Sequence, residues 1–425
     1  MSEKLEPLPG TSDIWEPETS QWVFLESTAR DIFPRYGYGE LRTPIFERTD
    51  VFVRSIGTET DVVQKEMYTF ADRGGRSLTL RPEGTAGVMR AIANQGLAEG
   101  EERRVFYMGP MFRGERPAAG RRRQFHQVGV EAVGRASAAM DAECIAMLHH
   151  FLTELGVGDG TILVNTRGTA ADRPVVAEAL KTYFTPLKDQ LCPDCQRRLG
   201  ANVWRLLDCK IESCQPLMAG APRITDLLGE ESKAFFAQVC ATLDTLGVPY
   251  RVEPRLVRGL DYYIHTVFEV THGGLGAQNA IAAGGRYAIT LPGNADKAIE
   301  GVGFAAGMER LLMARESLGL KAAAAAGVQL YVVGLGSRAQ AAALPLAQIL
   351  RTNGFRTLAD TGARSMKAQM RAADRAGARL ALILGDNELD RNTVVVKDLK
   401  ASTQEECPRA GLEARLAAIL APEAC

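Results

Sequence analysis

The stretch from Arg104 to Gly134 constrains the fold most: two strand patterns flank a loop rich in Arg and Gly, Gly114 to Arg123, and together they read as a long hairpin. On the second strand, period-two alternation sets Val128, Val130 and Ala132 on one face and Phe125, Gln127, Gly129 and Glu131 on the other. On the first strand Phe106, Met108 and Phe112 are expected to pack inward, leaving Tyr107, Arg113 and Glu115 opposite. One sheet surface therefore carries Arg113, Glu115, Gln127 and Glu131. On a generic antiparallel hairpin such a surface is solvated and its ion pairs contribute little.

Elsewhere the patterning divides the chain. Glu18 to Tyr36 reads as an amphipathic helix through Trp22, Leu25, Ala29, Ile32 and Phe33, and long strands with hairpin-like connections follow. This is the pattern of an α+β domain with an antiparallel sheet, expected over residues 1–320. A more helical, Cys-containing stretch, about 167–247, interrupts the strands and reads as an insertion. An alanine-rich tract, 321–327, reads as a linker. Beyond it, strand-like runs (Gln329 to Val333, Arg379 to Leu384, Thr393 to Val396) alternate with helical patterns, predicting a small α/β domain with a largely parallel sheet over 328–425.

With 46% hydrophobic and 24% charged residues in 425, the composition is that of a soluble globular protein with room for two or three domains. Met1 to Gly10 has no apolar stretch suited to a signal sequence, and no run is long enough to span a membrane, so a cytoplasmic location is expected. Eight cysteines scattered through such a chain favour reduced thiols or a metal over a disulfide framework. A formal net charge of -1 is not the uniform basic footprint of a nucleic-acid binder. Local charge differs: Arg113, Arg116, Arg121, Arg122 and Arg123 crowd one segment, while Arg364, Lys367, Arg371 and Arg375 recur at helical spacing opposite Met366, Met370, Ala373 and Gly377. Both groups suit phosphates.

Five motifs then share one resemblance. FRGERPAAGRRRQFHQVGVEAVG, Phe112 to Gly134, resembles motif 2 of class II aminoacyl-tRNA synthetases in its histidyl form. RGLDYYIHTVFEV, Arg258 to Val270, resembles that family's histidine-specific motif, and GVGFAAGMERLLM, Gly301 to Met313, its motif 3. GYGELRTPIFERTDVF, Gly37 to Phe52, is similar to motif 1, and TLRPEGTAG, Thr79 to Gly87, to the amino-acid-binding turn. The likeness runs through nearly the whole chain, with the C-terminal domain resembling an anticodon-binding domain.

The resemblance implies a class II catalytic fold and a histidine–tRNA ligase using ATP, Mg²⁺, L-histidine and the histidine tRNA, assembled as a homodimer. It implies that Arg113 contacts the α-phosphate, Arg310 the γ-phosphate with help from Arg121, Phe125 stacks on adenine, and Glu115 lies near the adenine amino edge. Arg258 is implied to be catalytic, at the reacting carboxylate and α-phosphate. Glu131 and Tyr263 would hold the imidazole, Glu83 and Thr85 the α-amino group, Gln127 the carboxylate side, and Tyr262 the pocket wall. Glu83 and Thr85 also suit capping of a helix that begins near Ala86. The basic stripe Arg364, Lys367, Arg371 and Arg375 is implied to contact tRNA.

Other readings exist. Gly334-x-Gly336-x-x-Ala339 after a strand, with Asp360 about 20 residues on, mimics a dinucleotide fingerprint, though nothing nearby supplies hydride-transfer chemistry. A non-catalytic paralogue, a regulatory subunit of ATP phosphoribosyltransferase, would share the catalytic fold without charging tRNA. LGAQNAIAAGGRYAIT, Leu275 to Thr290, resembles the family's second histidine motif but carries Ala288 where an acidic residue is usual. Cys192-x2-Cys195 and Cys209-x4-Cys214 form two zinc-ligand pairs by count, although Cys209 lies in RLLDCK, which resembles ordinary family sequence. His126 and His265, each in a strand pattern, read as structural.

Overall fold

The computed structural model describes residues 5–58, 60–97, 100–276, 279–290, 298–321, 327–362 and 364–421. Residues 322–326 of the expected linker, and Ala277 and Gln278 of the second histidine-like motif, lie outside them. The chain divides into two compact units, Met1–Ala322 and Ala323–Cys425.

In the first unit the predicted hairpin forms as Arg103–Phe112 and Gln124–Val133, paired antiparallel along their full length. They sit within an eight-stranded sheet ordered 39–40, 103–112, 124–133, 299–307, 280–289, 263–271, 161–166, 251–252. The inner pairs are antiparallel, and the short strand at each edge runs parallel to its neighbour. Val128, Val130 and Ala132 point to one side, where they meet Leu25, Ile32 and Phe33 of the helix Glu18–Arg35 and Ile145, Leu148 and Phe151 of the helix Ala138–Glu154. Ser137 caps the latter, its Oγ accepting the Met140 N–H at 3.2 Å. Phe112, expected inward, is half-buried at the strand's end; Met111 and Tyr107 are buried instead, in a second cluster on the opposite face. That face is not solvated as on a generic hairpin, because the helix Thr85–Gln95 and Tyr262, Tyr263 and Tyr287 cover it.

The insertion has a core of its own, built from Val176, Leu180, Phe184, Leu199, Leu206 and its cysteines. The helix Glu230–Thr245, within the span expected for it, sends Phe236, Val239 and Leu243 into the main core instead. A buried ion pair secures the middle of the sheet: Arg286 and Asp141, both fully buried, bond to each other, and Arg286 also donates to the Ser137 carbonyl at 3.2 Å.

The second unit holds a five-stranded sheet ordered 357–359, 330–334, 380–384, 393–398, 404–408. It was expected to be largely parallel; only its first two pairings are, and the last two are antiparallel. The connection 385–392 holds one short helix, Asp386–Asp390, too little chain for a parallel crossover, so Thr393–Asp398 returns antiparallel. The dinucleotide-like turn is closed: the Gln369 side chain bonds both the N–H and the carbonyl of Gly334, while Tyr331 and Arg364 occupy Asp360.

Candidate functional site

The face of the sheet opposite the main core carries two adjoining cavities. The deeper, about 90 Å³, is walled by Glu83, Thr85, Glu131, Tyr262, Tyr263 and Tyr287. Glu131 projects from Gln124–Val133 directly across from Gly303, and a Cβ at Gly303 would lie 2.0 Å from Glu131 Oε2, so only glycine leaves room for the carboxylate. Tyr107 lies across Gly84, where a Cβ would come within 2.1 Å of its ring. Thr85 donates its hydroxyl to Glu131 Oε1 at 2.7 Å. Glu83 accepts the Thr85 and Ala86 N–H groups at 3.1 and 2.7 Å, capping the helix Thr85–Gln95 while remaining in the cavity wall.

Several buried polar atoms of this pocket have no protein hydrogen-bond partner: Glu131 Oε2, Gln127 Oε1 and Arg258 Nε. Such atoms are costly unless a ligand or water satisfies them. Burial pushes the Glu131 carboxyl up to about 8; the Thr85 and Tyr287 hydroxyls pull it back, and the Glu83 charge adds a smaller push upward. Burial raises Glu83 as well, against the pull of its capping N–H groups. Tyr263 is raised by burial, with Arg258 drawing it back.

The wider cleft, about 300 Å³, is lined by Glu115, Arg121, Phe125, Arg310 and Glu309 among others. Arg113, Gln127 and Arg258 line both cavities and so mark their junction. Arg113 is aimed by its Nε bond to the Pro82 carbonyl, 2.9 Å, and its guanidinium sits 5.2 Å over the Phe125 ring. Glu115 lies between Arg113 and Arg121, at 3.8 and 3.4 Å. From the helix Met308–Ser317, Arg310 donates to the Gly120 and Ala280 carbonyls at 2.9 and 2.7 Å, tying the hairpin loop down to the cleft. Burial, and then the Arg121 charge, lower the Arg310 pKa. Arg258 pairs with Glu269. A cleft with this surplus of guanidinium groups is built for an anion.

All twelve expected catalytic, histidine and ATP residues therefore line one cavity or both. Tyr107 was placed on this face but given no role, and Tyr287, Gly303 and Glu309 were not singled out. Alternation on their strands places Tyr107 and Tyr287, but nothing in the sequence marks Gly303 as the partner of Glu131. Glu309 accepts the His126 backbone N–H at 3.0 Å and faces its ring, and Trp22 meets that ring edge-on. His265 stacks on Phe235 at 4.3 Å and lines neither cavity, nor does Ala288.

In the second unit the basic stripe is shorter than expected. The helix spans Met366–Arg375, capped by Ser365, so Arg364 precedes it and pairs with Asp360. Gly377 falls past its end at φ +66°, the usual position of a terminating glycine, and Met366 is exposed. Gln369 and Ala373 are the buried residues of the helix, and Lys367, Arg371 and Arg375 are exposed. In the insertion the four cysteines converge, their sulfurs all within 4.8 Å of one another.

A family model described as histidyl-tRNA synthetase matches residues 10–179 and 210–311, and one described as an anticodon binding domain matches 329–419. The chain is 48% identical over 419 residues to a histidine–tRNA ligase of Solidesulfovibrio magneticus, covering 98% of each. It is 46% identical to one of Halothermothrix orenii, covering 95% of this chain and 96% of that one. Among solved structures, that of apo histidyl-tRNA synthetase from S. aureus superposes with a TM-score of 0.80 at 36% identity, covering 97% of this chain and all of the other. Matched from end to end by these relatives and by models of both its units, the chain belongs to the histidyl-tRNA synthetase family.

Proposed function

We propose that the protein is a histidine–tRNA ligase, which activates histidine with ATP and transfers it to the 3′ end of its tRNA. The observation that carries this reading is the junction of the two cavities at Arg113, Gln127 and Arg258. A small pocket with unpartnered acceptors for an imidazole opens there onto an arginine-lined cleft for a triphosphate. Geometry of this kind supplies proximity, which removes much of the entropic barrier to joining two anions.

In the first step a histidine carboxylate oxygen attacks the α-phosphorus of ATP. The bond to the bridging oxygen breaks, pyrophosphate leaves with the electron pair, and histidyl-adenylate remains. Arg113 and Arg258 neutralise charge gathering on the α-phosphoryl oxygens, with planar guanidinium groups that stay charged at any working pH. Arg310 and Arg121 hold the γ-phosphate, Phe125 meets the adenine, and Glu115 turns from its arginines toward the adenine amino edge. ATP enters as its magnesium complex, an ion that favours phosphate oxygens and few protein ligands. In the deeper pocket Glu131 and Tyr263 take the imidazole, Glu83 and Thr85 the α-amino group, Gln127 the carboxylate side, and Tyr262 closes the wall. In the second step the terminal 3′-hydroxyl attacks the activated carbonyl and AMP leaves.

Arg364, Lys367, Arg371 and Arg375 offer phosphate contacts to the tRNA, Arg364 from just before the helix and already paired with Asp360. A homodimer is supported by Ile45, Phe46, Tyr68 and Phe70, large apolar side chains exposed around the three-stranded sheet 46–48, 77–80, 69–71. No helix of the described residues is long and apolar enough to cross a membrane, in keeping with a cytoplasmic location. The regulatory-subunit reading is not favoured, given ligases as relatives over the full length. Histidine-dependent exchange of pyrophosphate into ATP, followed by a charging assay, tests the proposal; exchange that ignores histidine would reject it.

A further inference from the structure

We infer that the insertion holds a structural zinc ion bound by Cys192, Cys195, Cys209 and Cys214, and that this centre braces the loop carrying Arg258 to Tyr263. Cys192 directly precedes the helix Pro193–Ala201 and Cys195 lies in its first turn; Cys214 ends the 3₁₀ turn Glu212–Cys214 and Cys209 precedes it. Two separate chain turns thus bring four sulfurs to one point, with Cys192 and Cys209 Sγ 3.9 Å apart and all four within 4.8 Å. Zinc–sulfur bonds of about 2.3 Å in a tetrahedron require sulfurs roughly 3.8 Å apart, close to the spacing found. All four are free thiols, and three are buried.

Backbone donors surround the cluster, as thiolates require. The Cys192 N–H donates to Cys214 Sγ at 3.3 Å, and the Cys195 and Ile211 N–H groups are directed at Cys192 and Cys209. An apolar cluster of cysteines would need neither the common focus nor the N–H donors. The insertion is also short of regular structure, with four 3₁₀ turns and a small core, the situation in which a metal stabilises a fold. The family model leaves 180–209 unmatched, and three of the four thiols lie in that segment.

What the centre would hold in place is visible in its neighbours. Asn202, at the end of the helix that begins at the cluster, donates to Asp261 Oδ1 at 3.1 Å. Arg198 and Arg205 flank Asp61 at 3.6 and 2.7 Å. Trp204 lies under the Arg167 guanidinium at 5.0 Å, and Arg167 donates to the Leu260 carbonyl at 3.2 Å. Leu260 and Asp261 sit between Arg258 and the two pocket tyrosines.

The test uses the full-length protein purified under reducing conditions. Elemental analysis should find one zinc per chain or, if the ion has been stripped, titration with Zn²⁺ should restore one. Replacement by Co²⁺ should give the intense visible absorption of a tetrahedral tetrathiolate, and Cys195→Ser should lower metal content and weaken that band. A chain that neither contains nor takes up zinc, one that carries an iron–sulfur chromophore, or one whose four cysteines are paired as disulfides overturns the site. The brace rests on the histidine-pocket reading and is read separately: zinc removal should raise the KM for histidine about tenfold more than that for ATP. Equal KM values with and without metal overturn the brace, while the metal content stands or falls independently of any activity.

Discussion

Glu131 offers the sharpest test of the pocket. It is 1% exposed, and one oxygen is taken by Thr85 at 2.7 Å while the other has no partner. Its carboxyl is raised from 4.5 to about 8, chiefly by burial, so ionising it in the empty pocket costs up to about 5 kcal/mol. The sign follows from the raised value: the empty protein is most stable with respect to this group below pH 4.5, and loses that stability as pH climbs to about 8. Glu131→Gln cannot ionise, so the variant should gain on the parent in thermal stability over that range. Binding has its own signature. Between roughly pH 6.5, where imidazole titrates, and about 8, the empty pocket holds the one proton that carboxylate and imidazole then share. Affinity should be level there and fall about tenfold per pH unit above it, as binding must draw a proton from solvent. The Gln variant should lack that upper limb and bind roughly tenfold more weakly, having lost a charge-assisted bond. Glu131→Ala strands both the imidazole N–H and the Thr85 hydroxyl, a loss of about 3 kcal/mol or roughly 150-fold in the KM for histidine. The assay is histidine-dependent pyrophosphate exchange from pH 6.5 to 9, with the KM for ATP as control and the Gln variant correcting for the α-amino group of histidine. An unchanged KM in the Ala variant, or identical pH profiles for parent and Gln variant, would refute the reasoning.

Arg258→His should cut the rate of adenylate formation by about 10²–10³ with a much smaller change in histidine affinity; equal losses in single-turnover rate and equilibrium binding would contradict its assignment to the transition state. Gly303→Ala puts a methyl group 2.0 Å from Glu131 Oε2, so it should raise the KM for histidine while leaving that for ATP unaltered. Asp141→Ala leaves Arg286 charged and fully buried without its counterion, a loss of about 3–5 kcal/mol in urea unfolding; a change near zero would mean that water reaches the site. Neutralising Arg371 and Arg375 together should impair tRNA charging, with a shallower salt dependence, but leave pyrophosphate exchange intact.

Much of the catalytic unit was legible because its elements advertise a period. Alternation alone separates Val128, Val130 and Ala132 from Gln127 and Glu131, and the helix stripe from Trp22 to Phe33 is the one that is buried. Site residues were legible through motifs, whose order carried more information than any single one. Readings failed where a local pattern met a boundary it does not encode. Arg364 sits at helical spacing from Arg371 and Arg375, yet Ser365 starts the helix after it and Asp360 claims its charge. Three of the five C-terminal strands show in the sequence as strands while 357–359 and 404–408 do not, and the direction of Thr393–Asp398 depended on the length of the connection before it.

By itself, then, the order of residues determined which faces are apolar, which side chains bear the chemistry, and the family whose relatives span the chain. Only the tertiary structure decided that Glu131 keeps an oxygen free, that Gly303 makes space for it, that Asp141 finds Arg286, and that four thiols from two turns share one centre. The reason is physical. Periodicity reports the direction of a side chain relative to its own backbone, whereas partnership and burial are set by whatever distant segment folds against it.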